Sequence, residues 1–259
     1  MELAGRIALV TGAGSGIGRA SAMRLAEEGA GVAVLSRTAE EVEQVALDIR
    51  KLGRRAIWLV TDVADADDMA EACRRTLAEL GAIDIVVANA GVNGVWAPIH
   101  QLEPAEWDST IAINLRGTFL TLRYAVPAML SRGGSIVIVS SINGTRTFTT
   151  AGASAYATAK AGQLALGQMA ALELAKHRIR VNVICPGAID TEIDANTATR
   201  NREAAAVPAE FPSGQIPLTG GRPGTSAEVA ELVLFLASDR ARHITGTPVW
   251  IDGGQSLLV

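Results

Sequence analysis

Tyr156-Ala-Thr-Ala-Lys160 sets a phenol and an ammonium four residues apart in a stretch of helical pattern that runs to about Lys176. That interval puts both side chains on one helix face. A free phenol titrates near about 10 and is a poor base at neutral pH, but an adjacent ammonium favours the phenolate and lowers that value. Such a pair can exchange a proton with a substrate oxygen. A second chemical signal is Thr11-Gly12-Ala13-Gly14-Ser15-Gly16-Ile17-Gly18, set between an apolar run and a helical stretch. Glycines there let the backbone turn tightly and approach a pyrophosphate, while the helix start offers unpaired N–H groups to it. A dinucleotide is the expected ligand. Where NAD-binding folds often carry an acidic residue for the ribose 2'-hydroxyl, this chain has Ser36-Arg37. A guanidinium pairs with a 2'-phosphate and stacks on adenine, so NADP(H) is preferred and NAD(H) is the alternative.

Other chemically suggestive residues point elsewhere. His100, His177 and His243 lack metal-ligand spacing, and the stretch Asp62 to Asp68 lacks the glycine and terminal glutamate of a calcium loop, so no metal is expected. Its carboxylates suit the start of the following helix. Arg50, Lys51, Arg54 and Arg55 cluster at a helix end and read as a solvated face.

The elements that must position this chemistry are legible as period. Arg6–Thr11, Gly31–Ser36, Ala56–Thr61, Ile83–Ala88, Ser135–Ser140, Arg178–Cys185 and Pro248–Ile251 are apolar runs of strand length. Helical stretches such as Ile17–Glu28, Glu40–Leu52 and Ala227–Ala237 alternate with them, the first two ended by Gly29 and Gly53. Strands apolar on both faces and joined by long crossovers predict α/β architecture, a parallel sheet with helices on both sides. Residues 191–225 break the pattern with four prolines and read as a lid over a binding site. No linker divides the chain, so residues 1–259 are expected to form one domain.

Composition excludes several functions. The 259 residues are 49% hydrophobic and 19% charged, with 23 Lys plus Arg against 27 Asp plus Glu, a formal net charge of -4. That is a globular profile without the positive surplus needed for nucleic acid. No apolar run is long enough to cross a bilayer, and no secretory signal is visible, so neither a membrane nor export is expected. Two cysteines, Cys73 and Cys185, without a CxxC pair fit a reducing, cytoplasmic setting.

The glycine turn and YxxxK occur together with Asn89-Ala90-Gly91, Asn114, Ser140-Ser141, Pro186-Gly187 and Thr245-Gly-Thr-Pro-Val-Trp-Ile-Asp-Gly-Gly254. In this set the sequence resembles the short-chain dehydrogenase/reductase family over essentially its whole length. The resemblance implies a single Rossmann-type, doubly wound parallel sheet of about seven strands, with hydride transfer at their carboxyl ends. It implies Tyr156 as general acid/base, Lys160 on the nicotinamide ribose, Ser141 on the reacting oxygen, and Asn114 holding a relay water. For the cofactor it implies Gly12, Ser15, Gly16, Ile17 and Gly18 at the pyrophosphate, with Ser36 and Arg37 at the ribose. Asp62 and Val63 would meet adenine, Asn89, Ala90 and Gly91 would pass the ribose, and Pro186, Gly187, Ile189 and Thr191 would shape the nicotinamide pocket. A homotetramer built through helices around residues 105–130 and 155–176 and the last strand is implied too.

Two departures stand out. Residue 88 is Ala where many relatives have Asn, and the interval from Ser141 to Tyr156 is longer than is usual, leaving Asn143 at the usual separation. Ser141 is still the expected hydroxyl because it directly follows the strand Ile136–Val139. Asn143, Arg146 and Glu192 are expected to bind substrate hydroxyls or an acid group, which suggests a sugar, polyol or hydroxy acid. The alternatives are a 3-oxoacyl thioester reductase and a catalytically silent nucleotide-binding regulator.

Overall fold

The computed structural model describes residues 1–258 except 192, 194, 195 and 208–214. The chain begins β1 (Ile7–Thr11), α1 (Gly16–Glu27), β2 (Gly31–Ser36), α2 (Ala39–Lys51), β3 (Ala56–Val60), α3 (Ala66–Leu80) and β4 (Ile85–Ala88). It continues through β5 (Gly94–Trp96), α4 (Pro104–Ile111), a π turn (Ala112–Arg116), α5 (Gly117–Met129), β6 (Gly134–Val139), α6 (Ser154–Leu174) and β7 (Ile179–Pro186). Short β8 (Ile189–Asp190), β9 (Thr197–Thr199) and β10 (Gly224–Thr225) precede α7 (Ser226–Ala237) and β11 (Pro248–Ile251).

All seven apolar runs become strands of one parallel sheet, in the order β11-β7-β6-β4-β1-β2-β3. Every residue of β1 and β4 is buried, as strands covered on both faces require. One face packs against α3, α5 and α6 through Met69, Leu120, Met129 and Leu174, the other against α1, α2 and α7 through Leu25, Val45, Ile49 and Val233. The fourth strand starts at Ile85 rather than Ile83. Asp84, 1% exposed, takes the Ile7 N–H at 2.9 Å on its carboxylate and pairs with Arg132 at 3.1 Å.

Gly29 and Gly53 end their helices at φ +101° and +73°, a conformation that favours glycine. The start of α3 is capped by Asp65, whose carboxylate accepts from the N–H groups of Asp67 and Asp68. Asp62 instead accepts from the Ala64 N–H at 2.9 Å, so it stands just ahead of the cap.

Strand order reverses between β1 and β4, and the loops after these two strands open a crevice at their carboxyl ends, where open α/β sheets bind ligands. The region read as a lid holds more pairing than its composition suggests: β9 lies parallel to β5, and β10 to β8. Glu192, Pro208 and Pro212 lie outside the described residues.

Candidate active site

The crevice is a cleft of about 770 Å³ that runs from Arg37 and Asp62 past the glycine turn to Tyr156 and on to Trp96 and Gln255. Its size suits a dinucleotide or cofactor-sized ligand. The glycine turn is held from behind. Asn89 Nδ2 donates to Thr11 O and Gly12 O, both at 3.1 Å, while Thr11 Oγ1 accepts the N–H groups of Asn89 and Ala90. A Cβ on Gly12, which sits at φ +62°, would lie 2.9 Å from Asn89 Nδ2, and one on Gly18 would press into Gly12 O. Gly18 is therefore a packing residue behind the turn. No side chain caps α1 at Ser15, which leaves its first N–H groups facing the cleft. These features fit a pyrophosphate.

Tyr156 and Lys160 lie one turn apart near the start of α6, 8% and 4% exposed, with the ammonium 5.4 Å from the phenol ring centre. The helix is fixed at this level because Ser140 Oγ donates to Lys160 O at 2.8 Å and Lys160 Nζ donates to Val139 O at 3.0 Å. Gly167 packs α6 against Val183 of β7 and Ile138 of β6. Burial pushes the Tyr156 phenol above its ordinary value, and the Ser141 hydroxyl beside it works in the opposite direction. Burial likewise draws Lys160 down to about 8. Removal from water is the larger of these two effects on the phenol, so Tyr156 stands as a proton donor at neutral pH.

Ser141, 8% exposed, accepts the Asn143 N–H at 3.1 Å, and its hydroxyl stands beside the phenol. The longer loop between Ser141 and Tyr156 folds back on itself. Asn143 Oδ1 accepts from Thr147 Oγ1 at 3.2 Å and from Thr150 Oγ1 at 3.0 Å, so the Asn143 side chain organises that loop.

Asn114 is fully buried in the π turn, a distortion often found beside functional sites. Its amide clamps Val92, accepting from the N–H and donating to the carbonyl at 2.8 Å each. A Cβ on Gly91 would lie 3.1 Å from Asn114 Oδ1 and 3.6 Å from Lys160 Nζ, so both groups face the open side of Gly91.

Of the expected site residues, Gly12, Ser15, Gly16, Ile17, Ser36, Arg37, Asp62, Val63, Asn89, Ala90 and Gly91 line this cleft. So do Asn143, Ser141, Tyr156, Lys160, Pro186, Gly187, Ile189 and Thr191. Arg146 does not. Its guanidinium stacks 3.6 Å over Trp250 and reaches Ser256 Oγ at 3.5 Å, held near Asp252, so it is committed to the C-terminal segment. Glu192 falls outside the described residues.

Sequence reading missed Thr38 and Glu41 at one end of the cleft and Gln255 at the other, while Asn93 and Trp96 fall in the stretch Val92 to Trp96 that it expected to border the substrate. Thr38 adjoins Arg37 and was within reach of the sequence. Gln255 was not, since only folding brings its Oε1 to the Ala188 N–H at 2.8 Å. Asn93 Nδ2 donates to Thr197 Oγ1 at 2.7 Å, joining the β5–β9 pair across the substrate end. Arg200 seals the same pair: it meets both Glu106 oxygens at 2.8 and 2.7 Å and also reaches Gln101 O. That guanidinium, with the Glu103 N–H, holds Glu106 down at about 2.

A family model described as enoyl-(acyl carrier protein) reductase matches residues 12–256. The chain belongs to the short-chain dehydrogenase/reductase family. It is 43% identical over 254 residues to cis-4-hydroxycyclohexanecarboxylate dehydrogenase of Sinomonas cyclohexanicum, covering 98% of this chain and 97% of that one. The crystal structure of a 3-ketoacyl-ACP reductase from Sinorhizobium meliloti 1021 superposes with a TM-score of 0.93 at 58% identity, over 98% of this chain and all 100% of that one. Carveol dehydrogenase from Mycobacterium avium, solved in complex with NAD, aligns at 31% identity with a TM-score of 0.88 over 99% of each chain. This short-chain dehydrogenase/reductase is an NAD(P)-dependent oxidoreductase acting on CH–OH and C=O groups. Among the described residues, no helix is long and apolar enough to cross a membrane and no cluster of His, Cys, Asp or Glu is built to hold a metal.

Proposed function

We propose that this dehydrogenase/reductase interconverts a ring-borne secondary alcohol, a hydroxy acid included, and its ketone, with Tyr156 moving the proton. The paired hydroxyls of Ser141 and Tyr156, buried in the same cleft as the glycine turn, carry the reading. The nicotinamide cofactor supplies or takes the hydride. Ser141 and Tyr156 hydrogen-bond the substrate oxygen, and in reduction Tyr156 protonates it as negative charge develops there. Lys160 would hold the nicotinamide ribose when the cofactor is bound and would replenish the proton. Asn114 keeps Val92 and the open side of Gly91 in register, where a relay water would bridge to Lys160. Arg37, with Ser36 and Thr38, favours NADP(H), and NAD(H) is the second cofactor.

The substrate end joins the apolar surfaces of Trp96, Ile142 and Ile193 to the neutral amides of Asn93, Asn143 and Asn196. That lining supports a compact, partly apolar ring with hydrogen-bonding substituents, and the Sinomonas relative's named substrate is such a hydroxy acid. A 3-oxoacyl thioester is the second reading, favoured by the Sinorhizobium reductase. Residues 191–225 act as the substrate lid. Exposed Phe119, Met169 and Leu172 on α5 and α6 support assembly as a homotetramer through these helices. The buried thiols of Cys73 and Cys185, raised to about 12 and about 11, fit a reducing cytoplasm.

Following nicotinamide absorbance against 4-hydroxycyclohexanecarboxylate, carveol and a 3-oxoacyl thioester tests the reading. Turnover of a ring alcohol with kcat/KM well above that for the thioester is expected. A preference for the thioester transfers the conclusion to the second reading, and no turnover of either with tight nucleotide binding defeats both.

A further inference from the structure

The nucleotide end of the cleft holds a carboxylate that Ser36-Arg37 alone does not disclose. Glu41 stands in the first turn of α2 and lies against Gly14, where a Cβ would be 2.9 Å from Glu41 Cβ and nearer still to Oε2. Only the bare backbone of Gly14 leaves room for that placement. Arg37, Thr38 and Glu41 line the cleft together with Ser15 and Asp62. Among the described residues, neither the Arg37 guanidinium nor the Glu41 carboxylate makes an ion pair or side-chain hydrogen bond. Two opposite, unpaired charges therefore border the same nucleotide site.

We propose that Glu41 is the residue that sets the balance between NAD(H) and NADP(H). This rests on the dinucleotide reading of the cleft. Folds that take NAD place a carboxylate at the end of the second strand to accept from ribose hydroxyls. Here the strand ends in Ser36-Arg37, and the acceptor comes from the next helix. Glu41 accepts a hydrogen bond from the adenosine ribose of NAD(H) and opposes the 2'-phosphate that Arg37 and Thr38 attract. In a half-solvated cleft, repulsion between a carboxylate and a phosphate of nearly two charges amounts to about tenfold in binding. The outcome is a chain that uses both cofactors where Arg37 alone would make it strict for NADP(H).

Calorimetric titration of the full-length protein with NAD+, NADP+ and 2',5'-ADP tests this without relying on turnover. Glu41→Gln keeps the bulk against Gly14 and should tighten NADP+ and 2',5'-ADP about tenfold while leaving NAD+ unchanged or a few-fold weaker. Arg37→Gln should move NADP+ the other way by a similar factor. Raising the salt concentration should shrink the Glu41→Gln effect. An NADP+ to NAD+ affinity ratio that stays within twofold of wild type in Glu41→Gln, while Arg37→Gln still shifts it, overturns the proposal. Failure of the unmodified protein to bind either nucleotide instead defeats the dinucleotide reading itself.

Discussion

In the nucleotide half of the cleft, Thr11 and Asn89 brace the glycine turn through bonds made at the switch between β1 and β4. In the substrate half, Asn93 depends on Thr197, 104 positions away, and the β9 segment that carries Thr197 depends on the Arg200–Glu106 ion pair. The first half is part of the sheet's own framework; the second is assembled from surface segments. A protein built this way can alter its substrate by changing the clasped segments while its redox machinery stays in place.

The sharpest break in this contrast comes at Tyr156, where both halves meet. Tyr156→Phe should lower kcat by about a thousandfold while nucleotide dissociation constants stay within about twofold, measured by steady-state kinetics beside titration. Comparable losses in both quantities would show that the phenol belongs to the nucleotide half instead.

Gly18→Ala should damage the framework itself. Its Cβ would push on Gly12 O and Asn89 Nδ2, so we expect a loss of about 2 kcal/mol in a urea denaturation and nucleotide binding weakened about tenfold or more. Arg200→Met, by contrast, releases only the clasp: KM for the carbonyl substrate should rise about threefold to fivefold, with kcat and nucleotide affinity nearly unchanged. Because Glu106 is held at about 2, below its ordinary value, the clasp is present above the usual carboxylate range and is lost only as pH falls through about 2. KM should therefore show no clasp-dependent change across neutral pH.

The smallest effect expected is a pH dependence from Lys160, whose value falls from 10.5 to about 8 on burial. Above about 8 the ammonium is lost, and kcat/KM for carbonyl reduction should decline with it. The stability effect has the opposite sign. Between about pH 8 and about pH 10.5 the unfolded chain binds this proton more tightly than the folded one, so Lys160's unfavourable contribution fades as pH rises. Thermal melts of wild type and Lys160→Met across that window should converge.

The difference between the two halves also decides what was legible in the sequence. Seven strands, their parallel direction and the glycine turn follow from local period and from glycines near the strands they serve, whereas the order of the strands in the sheet does not. Tyr156 and Lys160 were legible because helical spacing sets them on one face and because the glycine turn, Asn114 and Ser141 occur with them. The direction of the phenol's shift was not, since it depends on burial by residues from other elements. Arg146 was misassigned for a related reason: its partner Trp250 lies at the far end of the chain, and nothing local announces that stack. Glu41 carried no signal either, because its meeting with Gly14 exists only once α2 packs beside the turn.

Trp250 Nε1 donates to Thr145 Oγ1 at 3.3 Å, and that hydroxyl donates to Ser141 O at 2.6 Å, while Arg146 next to it rests on the Trp250 ring. The β11 strand is thereby wired to Ser141, the serine proposed to meet the reacting oxygen. Packing changes at Trp250 can therefore reach Ser141 through the Thr145 hydroxyl, without any residue of the cleft itself being altered.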